Sequence, residues 1–402
     1  MTAAITAAGL DARLAGLRGI GECAAGVNRL AWTAEAERCR AWFGDQAAGL
    51  GRRCAVDPAG NLWALPGGEG AWWGVGSHLD SVRDGGRYDG PLGVAAAFEI
   101  AAHAGAPVAV VCLADEEGAR YNTPTFGSRA LVGRLDADEV LARRDEDGIS
   151  LAEAMAAAGV DPATIGRAPE WLGLLRGFVE LHIDQTRELA RAGLPTGVVA
   201  SLATRLRLEV ELHGSADHAG TTAPDERRDA LSAAARLVVA AEDLAADAPQ
   251  LVVTAARILV EPNALTTVPA HVRLWLDARA PEAADVDNWR AGLEARAQEI
   301  TTRTRVAIEL RTASRSEGVA FDAGVRAALR RAAEAGRDGA AAPEIVCFAG
   351  HDAGVLGERV PAGMVLVRNA SGISHSPDEH VELEDAAQAA TEVLRAVEEL
   401  SV

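Results

Sequence analysis

Gly76-Ser-His-Leu-Asp-Ser-Val-Arg-Asp-Gly-Gly-Arg-Tyr-Asp-Gly-Pro-Leu-Gly-Val94 follows a short apolar run, Ala71 to Val75, and sets His78, Asp80 and Asp89 at and beyond its end. Imidazole and carboxylate are the donors that Zn²⁺ and its first-row neighbours accept, so the stretch reads as half of a metal site. An Ala-rich helix is expected over Val94 to His103. After it, Pro107 to Ala114 is a continuous apolar run of the kind buried on both faces of a parallel sheet, and it ends at Asp115-Glu116-Glu117. Gly177-Phe-Val-Glu-Leu181 runs into His182-Ile-Asp-Gln185, and a strand expected over Met364 to Val367 leads to Gly372-Ile-Ser-His375. This alternation predicts an α/β fold with a central, mostly parallel sheet, whose functional groups gather at the carboxyl ends of the strands.

Further out the pattern changes. Residues 1–50 carry apolar positions at helical spacing, with a helix capped near Thr33, and residues 134–170 read as charged, Ala-rich surface helices. From Leu206 to Leu212 the sequence alternates as a sheet strand. A helix at 226–246, strands near 251–260 and 271–279, a helix at 285–300 and a strand at 305–311 complete a βαββαβ-like unit. We therefore expect an inserted α+β domain over 206–318, a lid or dimerisation element, within a discontinuous first domain formed by 1–205 and 319–402.

The 402 residues carry 58 acidic and 39 basic side chains, a net charge of -19. That balance argues against nucleic acid or an anionic membrane as a partner, because both need a basic face. There is no lysine, which excludes a P-loop lysine and a Schiff-base lysine. The five cysteines, Cys23, Cys39, Cys54, Cys112 and Cys347, form no C-x-x-C pair, which fits a reducing compartment better than a disulfide framework. No basic segment precedes an apolar core at the N-terminus, and no run approaches the length that spans a bilayer; a cytoplasmic location is expected. There is no G-x-S-x-G elbow, and Cys112 lies inside an apolar run, where a thiol is inert.

Of the nine histidines, His103 suits the C-terminal end of its helix, and His213, His271 and His380 read as surface or loop residues. His78, His182 and His375 differ, since each follows a short apolar strand in a loop with Asp, Ser or Gly. Joined by Asp89 and Glu117, they supply three imidazoles and two carboxylates. That number fills two adjacent metal sites if Asp89 bridges, because two close cations need a shared carboxylate between them. Glu116 is then free to act as general base, and Asp80, two residues from His78, to hold the imidazole tautomer.

A set of segments then resembles a known family. They are Gly76-Ser-His-Leu-Asp-Ser, Tyr88-Asp-Gly-Pro-Leu-Gly, Asp115-Glu-Glu-Gly-Ala-Arg, Phe126-Gly-Ser-Arg, Glu180-Leu-His-Ile-Asp-Gln, Asp217-His-Ala-Gly-Thr-Thr, Pro262-Asn, Gly350-His-Asp-Ala and Gly372-Ile-Ser-His-Ser-Pro. Together they look like the dinuclear-metal amidohydrolases related to zinc aminopeptidases, in the branch of N-carbamoyl-L-amino acid amidohydrolase, allantoate amidohydrolase and β-ureidopropionase.

The resemblance implies His78, Asp89, Glu117, His182 and His375 as metal ligands, Asp89 bridging, and Glu116 as base. It adds that His218 reaches across a homodimer to the partner's substrate carbonyl, and that Gln185, Asn263 and Arg279 bind substrate, Arg279 through a two-pronged bond to a carboxylate. Two divalent ions per subunit are implied, Zn²⁺ first, with Mn²⁺, Co²⁺ or Ni²⁺ as alternatives. The substrate would be a small carbamoyl or ureido compound carrying a carboxylate, hydrolysed at its linear C–N bond. The alternatives are an N-acyl amino acid or small peptide on the same machinery, or a non-catalytic binding protein. Two segments depart from the family pattern: Asp184-Gln185-Thr186 stands where Glu-Gln-Gly is usual, and Leu265-Thr266-Thr267 where a second Asn is expected.

Overall fold

The computed structural model describes residues 5–246, 248–337 and 340–402. It divides into two compact units, one of Met1–Ala200, Phe321–Ile345 and Ala349–Val402, the other of Ser201–Ala320 with Val346–Phe348.

In the first unit the apolar runs form the middle of a mixed sheet. Strands Ala362–Val367, Leu175–Ile183, Trp72–His78 and Val108–Leu113 lie side by side and parallel. Antiparallel strands extend this centre: Thr196–Leu202 beside Ala362–Val367, and Leu62–Leu65 then Arg53–Val56 beyond Val108–Leu113. Every residue of Val108–Leu113 is buried, as expected of a strand covered on both faces. His78 pairs with Leu113, and Leu366 with His182, so the parallel strands finish at one edge.

Helix Pro91–His103 is buried from Pro91 to Ala101 and packs on these strands and on helices Ala7–Ala15 and Leu383–Leu400. Its start is set by sequence: Pro91 occupies the first turn, where its missing N–H is no loss, after Gly90 at φ +82°. Glu99, within the buried stretch, pairs with Arg13.

In the second unit the alternation of Leu206, Leu208, Val210 and Leu212 with polar residues is that of a half-covered sheet. Its order is Val252–Glu261, His271–Ala280, Thr204–His213, Ala307–Ser316, all antiparallel. Helices Ala230–Ala246 and Ala283–Thr304 pack Leu237, Trp289 and Leu293 against the buried leucines and valines.

Two features differ from expectation. Strand Thr196–Leu202 lies outside the expected elements, because only two residues separate Gly193 from its start and one separates its end from the next strand. Within 134–170 the helices are short, Ala137–Ala142 and Leu151–Ala157, followed by a 3-10 run, Pro162–Leu174. Pro169, inside that run, withholds an N–H group that a longer α-helix needs. Among the described residues no helix is long and apolar enough to cross a membrane, and all five cysteines are free.

Packing in the parallel centre leaves no room at Gly76, where a Cβ would lie 1.7 Å from the Val111 carbonyl oxygen. We expect Gly76→Ala to destabilise the protein by roughly 1–3 kcal/mol. Gly44, inside helix Ala34–Gly49 with nothing within 4 Å of its Cβ position, should gain about 0.5–1 kcal/mol on replacement by Ala. Denaturant unfolding of the two variants measures both signs.

Candidate metal centre

Four parallel strand ends deliver the polar side chains. His78 closes Trp72–His78, Asp115 to Glu117 follow Val108–Leu113, His182 lies one residue from the end of Leu175–Ile183, and His375 follows Ala362–Val367. Asp89 arrives on the turn into helix Pro91–His103. Gly90 is required there twice over: its φ is positive, and a Cβ would fall 2.5 Å from His78 Nδ1.

The tautomers of two histidines are set by backbone. His78 Nδ1 lies 3.1 Å from the Asp80 carbonyl oxygen and His182 Nδ1 2.9 Å from that of Ile183. A carbonyl only accepts, so each Nδ1 carries a proton and each neutral ring turns the Nε2 lone pair inward. Both Nε2 atoms are buried without a hydrogen-bond partner, and they face Asp89 Oδ1 at 3.4 and 3.1 Å. The other oxygen, Oδ2, faces His375 Nε2 at 3.6 Å, and that nitrogen lies 3.5 Å from Glu117. Two donor sets result, His78, Asp89, His182 and Asp89, Glu117, His375, each with its donor atoms within 4.8 Å of one another. Asp89 is their common member, one oxygen toward each.

The surrounding charge asks for a cation. Burial raises the carboxyl pKa of Asp80, Asp115 and Glu116, lifts Glu117 and Asp352 to about 8 and lifts Glu379 to about 7. Burial works against charge on the two imidazoles, yet the carboxylates outweigh it. His78 sits well above its usual value, beside Asp89, Glu116 and Asp80, and His182 rises to about 9 beside Asp89. Asp89, although buried, is held well below the ordinary range by His182 and His78. Buried acid in this excess takes up protons unless metal ions supply the charge, and inward-facing lone pairs without partners are the donors such ions need. The residues fit a metal centre.

Glu116 belongs to neither set; its Oε2 lies 3.9 Å from His78 Nε2. Asp80 holds the His78 ring by its main-chain carbonyl and not by its side chain. Its carboxylate is 3.7 Å from His78 Nδ1, beyond a hydrogen bond, because its two oxygens accept the backbone N–H groups of Glu116 and Glu117 at 3.2 and 3.1 Å. It orients His78 through its carbonyl and the acid pair through its side chain.

Gln185, expected at the substrate, donates to Asp89 Oδ2 at 2.9 Å. His375 and Asp115 both adopt left-handed backbone, φ 56° and 52°, a strain that clusters at functional sites.

His218, Asn263 and Arg279 lie in the second unit and are described there by themselves. His218 is exposed on the two-residue strand Asp217–His218, paired with Thr267–Val268. Its Nδ1 accepts the N–H groups of Gly220 and Thr221 at 3.0 and 3.1 Å, so the ring proton sits on Nε2. Asn263 is exposed. Arg279 already makes a two-pronged bond, to Asp277 at 2.6 and 3.4 Å, and donates to the Phe348 carbonyl at 2.7 Å.

Two residues at the centre had no role in the sequence reading. Glu379 is buried and accepts the N–H groups of Tyr88 and Asp89 at 2.8 and 2.9 Å, which fixes the turn that presents Asp89. His351 is buried with its ring 4.4 Å from that of His182 and neither nitrogen partnered. Their only signals were the Gly350-His-Asp-Ala segment and an acid four residues after His375.

Residues 64–399 match the model of Peptidase family M20/M25/M40, and the chain belongs to this family. It is 36% identical over 387 residues to an N-carbamoyl-L-amino acid amidohydrolase of Geobacillus stearothermophilus, covering 94% of each chain. It is 31% identical to an allantoate amidohydrolase of Bacillus subtilis, covering 92% of each. A crystal structure of a hydantoinase/carbamoylase family amidase from Burkholderia multivorans superposes with a TM-score of 0.87 at 30% identity, covering 98% of this chain and 97% of that one.

Because Asp89 is common to both donor sets, Asp89→Ala should abolish metal uptake at both, whereas His182→Ala should spare the Glu117–His375 set. Metal content after dialysis measures this. In the wild type, free metal at about 100 times its dissociation constant should add about 2.7 kcal/mol of stability per site, and Asp89→Ala should lose the increments of these two donor sets in a thermal melt.

Proposed function

We propose that this chain is a metal-dependent amidohydrolase that cleaves the linear C–N bond of an N-carbamoyl amino acid or a related ureido acid such as allantoate. The observation that carries the reading is the division of Asp89 between the two donor sets, with Glu116 beside them and bound to neither. The names of the relatives supply the substrate class. Two divalent ions, Zn²⁺ by preference from this mix of imidazole and carboxylate, would be held by His78, Asp89, His182 and by Asp89, Glu117, His375. When bound, such ions polarise a carbonyl and lower the pKa of water.

The chain's own groups do the rest. Glu116 takes the proton of the attacking water and returns it to the nitrogen that leaves when the C–N bond breaks. Cleavage of an N-carbamoyl amino acid yields the amino acid and carbamate, which decomposes to ammonia and carbon dioxide. His218, whose Nδ1 is engaged by two backbone N–H groups, offers an Nε2–H donor to a carbonyl oxygen that gains negative charge. Gln185 steadies Asp89, while Asn263 and Arg279 are assigned to the substrate's polar groups. Asp277, which holds the Arg279 fork, would then yield to a substrate carboxylate or share the guanidinium with it.

A homodimer in the cytoplasm completes the proposal, with His218 serving the partner's site. In its support, Val252–Glu261 is an outer strand of the second unit's sheet with Val252, Ile258 and Leu259 exposed, and helix Ala230–Ala246 exposes Leu231 and Val239. An apolar, unpaired edge of that length is one that proteins cover.

Glu116→Gln should lower turnover by at least ~10² while metal content is kept; retention of turnover within a few-fold would remove Glu116 from the mechanism. The assay is ammonia release from allantoate, N-carbamoyl-L-amino acids and N-carbamoyl-β-alanine. Cleavage confined to N-acetyl amino acids, without ammonia, moves the substrate to the acyl class. Mixing inactive His218→Ala with inactive Glu116→Gln subunits should restore part of the activity in verified heterodimers, and no recovery would show that His218 does not act across chains.

A further inference from the structure

The polar face of the second unit's sheet carries a donor cluster that the proposed catalysis does not use. Strands Thr204–His213 and His271–Ala280 pair antiparallel with His213 directly opposite His271. Glu211, two residues before His213, shares their face by strand alternation. The two imidazole rings stack, with centroids 4.7 Å apart and planes 12° from parallel. Glu211 Oε2 lies 2.8 Å from His271 Nε2 and 3.5 Å from His213 Nε2. Both ring nitrogens thus converge on one carboxylate oxygen, and the donor atoms of all three residues lie within 4.8 Å of one another.

We propose that Glu211, His213 and His271 bind one divalent transition-metal ion of the Zn²⁺, Ni²⁺ or Cu²⁺ class. Two imidazoles and a carboxylate select such ions over Mg²⁺ and Ca²⁺, which prefer all-oxygen shells. The donors sit on paired strands, where the register fixes their spacing before any ion arrives. Glu261 is opposite His271 on the neighbouring strand, its carboxylate 3.8 Å from His271 Nδ1, beyond a hydrogen bond but adding negative charge beside the cluster.

The other neighbours leave the cluster open. Arg273 is bound to Glu209 and comes within 3.5 Å only of the far oxygen of Glu211. Glu309, opposite Glu211, is paired with Arg311 at 2.8 Å, and the residue opposite His213 on its other side is Ala307, with only a methyl group. His213 is half exposed. The cluster also has a telling position: Gly214 N–H bonds the Ala270 carbonyl, where the chain departs toward His218 and returns from Asn263. An ion on His213 and His271 would clamp the bases of both loops.

The test is a metal count on the full-length protein dialysed against Ni²⁺ or Zn²⁺, comparing the wild type with His213→Asn and His271→Asn. Each variant should hold one ion per chain fewer than the wild type, with an unchanged melting temperature in the absence of metal. Asp89→Ala should retain the ion that these variants lose, which separates this site from the centre proposed above. Equal metal content in the wild type and His213→Asn overturns the proposal. If His271→Asn fails to fold, His213→Asn decides alone, since its half-exposed ring supports little packing.

Discussion

Buried negative charge without a matching cation governs this structure. Carboxylates lose far more by leaving water than they regain from ordinary neighbours. Yet Asp80, Asp89, Asp115, Glu116 and Asp352 are all buried at one end of one sheet, and the partners within ion-pair distance of Asp80, Asp89 and Glu116 are histidines. The three histidines that face Asp89 cannot neutralise so many acids and keep their lone pairs free. Metal ions would resolve both needs together, supplying positive charge and using the inward lone pairs.

Holding such a cluster in place is the task of hydrogen bonds around it. Glu379 fixes the Asp89 turn through two N–H groups. Glu180, wholly buried, accepts from Ser77 beside His78 and from the Ala353 N–H. Asp352 accepts from Ser128. Each bond satisfies a group that would otherwise be an uncompensated loss in a low-dielectric interior, and Glu180 joins its own strand both to the strand that carries His78 and to the Ala353 backbone. The sheet thereby sets the distances that the donors need.

Much of this was legible in the sequence, for definite reasons. The parallel centre was readable because strands buried on both faces are continuous apolar runs, and Val108–Leu113 is one. The donors were readable because His78, His182 and the Asp115–Glu117 triplet sit at the ends of such runs, where α/β folds collect chemistry. What stayed hidden depended on direction. Asp80 stands two residues from His78, but spacing does not tell that its carboxylate turns to the backbone of Glu116 and Glu117. Glu379 and His351 belong to the centre only through tertiary packing, and strand Thr196–Leu202 was masked by the short links at its two ends. The pairing of His213 with His271 depends on a strand register that no single segment encodes.

Asp80 also has a mechanical meaning. Its carbonyl holds the His78 ring, and its carboxylate holds the peptide groups that carry Glu116 and Glu117. One residue therefore splices the ends of two neighbouring strands, so a member of the first donor set, a member of the second and the acid that belongs to neither are mounted on a common frame. A displacement imposed at Glu117 reaches His78 through two hydrogen bonds and one residue, and the two halves of the centre behave as a single part that shifts or stays as a whole.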